Sequence, residues 1–273
     1  MASSRVLSGT ALLAGVVAAM WLLPPIYLLG VMLIVVLLAF REYADLAARA
    51  GVSISRPAAG MASALACVAV AIPGLPVEVA VAGTTLGLAA VSLATFMTRT
   101  SPPNTAEATG AALYAAAISA FAPMYIGVPL GLLAATRWTL GREATLLLIF
   151  TVAISDTFQY YSGRMFGRHL LAPVVSPKKT IEGAVGGFAG AILSMAVIGH
   201  WWLPHIGLPA RVALGFAIAA VGIVGDLFES LLKRSVGMKD ASAIIPGHGG
   251  VLDRIDALLF AAPVFYVFVR YSF

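Results

Sequence analysis

Charge is scarce in this chain: Asp, Glu, Lys and Arg make up only 11% of 273 residues, and cysteine occurs once. A soluble domain carries roughly 25% charged side chains, so an ordinary water-facing surface is excluded. The lone Cys67 lies in an apolar run, so neither a disulfide framework nor a thiolate metal site is supported. Lysine is limited to Lys178, Lys179, Lys233 and Lys239, all in two polar loops of the C-terminal half. The net charge of +5 therefore offers no basic soluble face for nucleic acid, and contact with anionic headgroups or an anionic nucleotide fits better. His169, His200 and His205 are scattered without ligand spacing and read as loop or interface residues. No P-loop, G-x-S-x-G elbow, H-E-x-x-H or Cys/His zinc pattern occurs.

What is present is hydrophobic length, with 60% of the residues apolar. Apolar runs cover 7–23, 26–40, 57–75, 77–97, 106–136, 143–163, 183–203, 210–232 and 255–272. A membrane-spanning helix needs about 20 residues. The runs are continuous, not alternating, which argues against a β-barrel. The expected fold is all-α: a polytopic helical membrane protein of about nine transmembrane helices, with a cytoplasm-facing polar site in its C-terminal half. Residues 1–25 resemble a signal peptide loosely, but a second run follows almost at once, so an uncleaved first span is expected. Pro24 and Pro25 predict a tight hairpin, and the short run 26–40 predicts a helix extending into Arg41–Arg49. Pro73, Gly74 and Pro76 mark the next turn, and Pro123 and Pro129 predict a break in the long run 106–136.

Lys and Arg collect in 41–56, 164–179 and 233–254, which places these loops in the cytoplasm. Parity then requires one net crossing from 106–136, leaving Arg137 and Arg142 outside against the rule. The N-terminus is expected inside and the C-terminus outside. Trp201 and Trp202 look like an interfacial aromatic belt. Residues 1–142 hold few charges at bilayer depth, with Glu78 and Glu107 near span ends, and read as scaffold or oligomer surface. Residues 143–273 hold the chemistry.

Half of the twelve carboxylates lie in or beside apolar stretches of the last 120 residues: Asp156, Glu182, Asp226, Glu229, Asp253 and Asp256. A charge at bilayer centre costs on the order of 2.5–3.5 kcal/mol on insertion scales, so their retention points to use. Asp226, Glu229, Ser230 and Lys233 have offsets that share one helical face. Such a stripe suits a divalent cation and a phosphate together, while snorkelling charges at a helix end are the plain alternative. Asp226 lies roughly 10 Å inside Lys233 at 1.5 Å per residue, too deep to reach water. Asp253 and Asp256 open the last span, where helix capping is the plain reading. They follow Gly247-His248-Gly249-Gly250, whose glycines either let backbone amides approach an anion or merely punctuate a turn. The third group is Ser176-Pro177-Lys178-Lys179-Thr180-Ile181-Glu182-Gly183, a turn with two cations before a helix. Upstream, Asp156 lies about two turns from Arg164 within an apolar helix.

The run Ser230-Leu231-Leu232-Lys233-Arg234, then Lys239-Asp240, Pro246-Gly247-His248-Gly249-Gly250 and Asp253-Arg254-Ile255-Asp256 resembles the signature of the phosphatidate cytidylyltransferases. Asp156, Gly163-Arg164, Phe166-Gly167 and the Ser176–Gly183 segment are similar to that family's upstream region. Gln159 departs from the pattern, which places small and aromatic residues there. The resemblance implies a membrane nucleotidyltransferase of phospholipid biosynthesis that joins CTP and phosphatidate into CDP-diacylglycerol with release of diphosphate. It further implies Mg2+ dependence with K+ as partner ion, a homodimer, and a bacterial inner membrane with the site facing the cytoplasm. On this resemblance Asp226, Asp253 and Asp256 are metal ligands, and Lys233, Arg234 and Lys239 hold CTP phosphates. Ser230, His248, Gly249 and Gly250 shape the nucleotide site. Arg164, Lys178, Lys179 and Thr180 meet the phosphatidate headgroup, with Asp156 and Glu182 orienting these bases or adding a ligand. Two alternatives stay open. A CTP-dependent transferase acting on another lipid phosphate or an isoprenoid acceptor would look the same. An ion-coupled transporter also keeps acids at depth, although the polar residues here gather at one face and no inverted repeat is visible. The D-G-x-x-A-R opening of a CDP-alcohol phosphatidyltransferase is absent.

Overall fold

Two adjacent prolines end one helix and begin the next. In the computed structural model, which describes residues 14–97, 106–242, 244 and 249–271, helix α1 (14–22) stops before Pro24 and α2 (Pro25–Arg49) starts with proline in its first turn. The remaining elements are α3 (Arg56–Ala71), α4 (Val77–Met97), α5 (Ala106–Ala122), a π-helical stretch (Pro123–Gly127), α6 (Val128–Thr139), α7 (Gly141–Phe166), α8 (Ile181–Trp202), α9 (Leu208–Ser235) and α10 (Leu252–Tyr271). A two-stranded antiparallel hairpin, β1 (Leu170–Ala172) and β2 (Ser176–Thr180), joins α7 to α8. Arg5, Arg99, the side chain of Glu107, Pro246, Gly247 and His248 lie outside the described residues.

Among the described residues, five helical stretches are long and apolar enough to cross a membrane: Pro25–Arg49, Val77–Met97, Ala108–Thr139, Ile181–Trp202 and Leu208–Ser235. The chain is an all-α membrane protein apart from the hairpin. As expected from its short apolar run, α2 continues past Arg41 to Arg49. The proline-rich region behaves differently from expectation. Pro123 and Pro129 do not break the run, and residues 106–139 stay helical throughout. Each proline sits at the start of a change in helical winding inside the continuous run, where it lacks an amide donor, and the wider π turn absorbs the change of phase. Gly127 faces the Ser63 carbonyl so closely that a Cβ would lie 2.3 Å from it, which lets this bend press on α3.

Lipid tails are as apolar as leucine, so the helices are held by close packing and polar links more than by burial from water. Helix α8 shows this against α7. A Cβ on Gly186 would sit 2.1 Å from Ser162 Oγ, and one on Gly190 2.9 Å from Phe158 Cβ. The same interface carries Thr151 Oγ1 against Ser194 Oγ at 2.9 Å and Ser155 Oγ donating to Gly187 O at 3.0 Å. Helix α9 then packs on α8 and α10 on α9. Cys67 is buried in the α3 packing and free of any disulfide.

At the opposite end from the lysine loops, Arg137 donates to the carbonyls of Met20 and Leu23 at 3.2 and 3.1 Å, capping the end of α1. Arg142 pairs with Glu143 at 3.0 Å and stands 4.2 Å over the Trp21 ring. Both guanidiniums are thus engaged locally. Trp201 is exposed at the end of α8, and Trp202 packs on Phe150.

Candidate active site

The hairpin delivers the first cations. Leu170 pairs with Thr180 and Ala172 with Ser176, so alternate side chains of β2 point opposite ways. Lys178 is exposed, while Lys179 turns inward and forms an ion pair with Asp226 of α9. Thr180 ends the strand and caps α8, its hydroxyl accepting from Gly183 N–H at 3.1 Å. Glu182 does not orient the lysines. Its carboxylate accepts from the amides of Arg168 and His169 at 3.0 and 3.2 Å and meets His169 Nδ1 at 2.6 Å, fastening the base of the hairpin. Arg164 is exposed and donates to the Tyr160 hydroxyl at 3.3 Å. Thr180→Ala is expected to cost about 1 kcal/mol of stability through the lost cap, read as a lower thermal midpoint in detergent.

The acids separate into two groups. Asp156 of α7, Asp226 of α9 and Asp256 of α10 lie within Coulombic range of one another, with Lys179 among them and Arg254 also facing Asp156. Their helices meet closely, since a Cβ on Gly225 would stand 2.6 Å from the Asp256 carbonyl oxygen. One Asp256 oxygen accepts from the Ala257 amide at 2.7 Å. In the second group Lys233 is clamped between Glu229, which is fully buried, and Asp253 Oδ1 at 2.6 Å. The other Asp253 oxygen accepts from the amides of Gly250 and Ala241 at 2.7 and 2.9 Å. Asp253 is therefore committed to Lys233 and to the loop before α10.

Arg234 is exposed and bonds the carbonyls of Val175 (3.4 Å) and Met238 (3.1 Å), tying the end of α9 to the hairpin. Ser230 is half-buried on α9, and Lys239 is exposed on the following loop. Gly249 adopts φ +79°, a left-handed conformation that favours glycine. Gly250 lies against the carboxylate of Glu42.

Two residues beside the site were passed over in the sequence. Glu42 of α2 is buried and bonds the segment before α10 across some two hundred residues. An acid at the edge of the apolar run of α2, with Asp45 one turn on, was the sequence signal for it. Tyr125 of the π stretch lies within electrostatic reach of Glu229 and Asp256, and its buried hydroxyl has no hydrogen-bond partner among the described residues. Its ring packs against Phe121 and Phe228 behind α9. No sequence pattern marks it.

Among the described residues, no three His, Cys, Asp or Glu side chains close around a single point as a metal cage. The chemistry of the donors nevertheless suits a hard cation. Asp156, Asp226 and Asp256 offer carboxylate oxygen only, and Lys179 is the sole ammonium drawn among them.

The cytidylyltransferase family model matches residues 3–272, and this chain belongs to that family. It is 46% identical over 122 residues to the phosphatidate cytidylyltransferase of Aquifex aeolicus (strain VF5), covering 45% of each chain. It is 41% identical over 133 residues to the phosphatidate cytidylyltransferase of Thermotoga maritima, covering 46% of this chain and 49% of that one. The protein YnbB of Escherichia coli (strain K12) is 42% identical over 133 residues, 48% of this chain and 44% of its own. The chain spans a little under half the length of these curated relatives.

Proposed function

We propose that this protein is a phosphatidate cytidylyltransferase, converting CTP and phosphatidate into CDP-diacylglycerol and diphosphate. The carrying observation is the ion pair of Lys179 of the hairpin with Asp226 of α9, with Asp156 of α7 and Asp256 of α10 in Coulombic range of both. The family membership and the names of the relatives support the same reading.

An oxygen of the lipid phosphate attacks the α-phosphorus of CTP, forming one P–O bond as the bond to the β-phosphate breaks and diphosphate leaves. The phosphate monoester is already largely ionised near pH 7, its second pKa being about 6, so no deep general base is needed. Two anions must be held together, which makes positioning and charge stabilisation the main tasks. Lys179, with Lys178 and Arg164 outside it, holds the phosphatidate phosphate. Arg234 and Lys239 meet the CTP phosphates, and Ser230, Gly249, Gly250 and His248 border the nucleotide. Lys233 holds Asp253, and through it the loop before α10, in place. Asp156, Asp226 and Asp256 would hold Mg2+, with K+ as a partner ion. When bound, the metal would offset phosphate charge at the α-phosphorus and on the leaving diphosphate.

The site faces the cytoplasm in this reading, where CTP is dissolved, and the bacterial inner membrane is the proposed location. Lys178, Lys179, Lys233 and Lys239 gather at this end. Arg137 and Arg142 lie at the other, engaged with α1 and Glu143. Glu42 brings the end of α2 to the start of α10, as about nine crossings with an inside N-terminus require. A homodimer is proposed on the resemblance alone.

The test is diphosphate release by the purified protein in detergent. Release is expected only when CTP, phosphatidate and Mg2+ are all present. Release with an isoprenoid phosphate but not with phosphatidate would reassign the acceptor. No release with any lipid phosphate would remove the enzyme reading.

A further inference from the structure

Glu42 belongs to the half of the chain that carries little charge at depth, yet it is only 1% exposed. Burying a carboxylate is unfavourable unless its lone pairs are satisfied. Here they are satisfied from the other half of the protein. Oε1 accepts from the Ser242 hydroxyl at 2.6 Å and from Val251 N–H at 2.9 Å, and Oε2 accepts from Leu252 N–H at 2.7 Å. Among the described residues no Lys or Arg pairs with it. Its counter-charge is the start of α10, whose first amides lack partners within the helix and carry the positive end of the dipole. Gly250 makes the approach possible, because a Cβ there would lie 2.6 Å from Glu42 Oε2.

The consequence reaches the site. The loop between α9 and α10 carries Lys239, Gly249 and Gly250, and α10 carries Asp253 and Asp256. Asp253 ties down the amides of Ala241 and Gly250, and Glu42 ties down Ser242, Val251 and Leu252. Each acid thus holds residues at both ends of the loop, one acting from α10 and the other from α2.

We propose that Glu42 is a positioning residue of the nucleotide site. It holds Ser242, Val251 and Leu252 and so the entry of α10, and thereby the placement of Lys239, Gly249, Gly250 and Asp256 around CTP. The assignment to CTP rests on the cytidylyltransferase reading; the anchoring of the segment does not.

The experiment uses the full chain in detergent, as wild type, Glu42→Gln, Glu42→Ala and Ser242→Ala. Two quantities are followed: KM and kcat with each substrate varied, and amide hydrogen exchange at Val251 and Leu252. A misplacement of about 1 Å is enough to cost about 10²-fold in rate. Glu42→Ala is expected to lower kcat/KM for CTP on that scale, with the KM for phosphatidate near wild type and exchange at both amides faster. Glu42→Gln keeps one acceptor oxygen and is expected to fall between, and Ser242→Ala to show a smaller change of the same kind. A residue that only supports folding would reduce the folded fraction while leaving the CTP KM of the folded molecules unchanged. That outcome, or wild-type exchange at Val251 and Leu252, overturns the proposal. Where Glu42→Ala does not fold, Glu42→Gln and Ser242→Ala decide on the same two readouts. A wild-type protein that fails to use CTP sinks the enzymatic reading, and exchange in the variants still decides whether Glu42 anchors the segment.

Discussion

Asp256→Asn is expected to lower turnover by about 10²–10³-fold, the scale of losing one preorganised electrostatic group, while the protein stays folded. Asparagine is isosteric, and its carbonyl oxygen can still accept from the Ala257 amide, as Asp256 does at 2.7 Å. No ion pair of the described residues uses Asp256. Removing one negative charge from the Asp156–Asp226–Asp256 group also relieves mutual repulsion, so the thermal midpoint should hold or rise. Asp253→Asn should behave in the opposite way. It weakens the Lys233 pair and leaves an ammonium and the buried Glu229 to balance alone. Losing a hydrogen bond between charged groups costs roughly 1.5–3 kcal/mol, which should appear as a lower midpoint. The pair of variants is measured by diphosphate release per folded molecule and by thermal unfolding in detergent. Near-wild-type release by Asp256→Asn would remove that residue from the reacting centre.

Gly225→Val is expected to damage both quantities together. A Cβ at this position would lie 2.6 Å from the Asp256 carbonyl oxygen and 2.9 Å from Phe260 Cδ2. Backbone cannot give way like a side-chain tip, so α9 and α10 must move apart. Overpacking of this kind costs typically about 1–3 kcal/mol. The activity loss should be larger, about 10²-fold, because Asp226 and Asp256 lie at this crossing and tolerate little displacement. Gly222 supplies the control one turn away. Its Cβ would meet only Ala257 Cβ at 3.7 Å, an ordinary contact, so Gly222→Ala should keep most activity. Equal effects from Gly222→Ala and Gly225→Ala would show that close approach at Gly225 does not set the site.

These variants also show where sequence reading stops. The stripe of Asp226, Glu229, Ser230 and Lys233 was visible from helical spacing, but the structure divides it, Asp226 pairing with Lys179 and Glu229 with Lys233. Helix α2 runs past its apolar stretch as its length required. The hairpin at 170–180 was not visible, since strands of three and five residues are too short for a hydrophobic alternation to declare itself. Pro123 and Pro129 suggested a break because proline lacks a donor, but the run accommodates both through a π-helical turn at Pro123–Gly127, which local sequence does not announce. Asp253 and Asp256 are three residues apart and chemically identical. Which one meets Lys233 depends on how α10 is rotated against α9, a quantity absent from either helix alone. Glu42 is harder still, because its partners lie 200 to 210 positions away.

By itself the sequence determined what depends on local composition and period. That includes the membrane class, the helices and most of their ends, and the gathering of lysines and buried acids into the C-terminal half of the chain. Hydropathy and helical phase act over one or two turns, so they can be read along the chain. The tertiary structure alone decided which carboxylate answers which cation, that Asp156 joins Asp226 and Asp256, and that Glu42 reaches α10. Hydrogen bonds act only over a few ångströms, and Coulombic coupling falls with the distance between charges. Those distances are set by the helix crossings, at contacts such as Gly186 and Gly225, where two backbones meet.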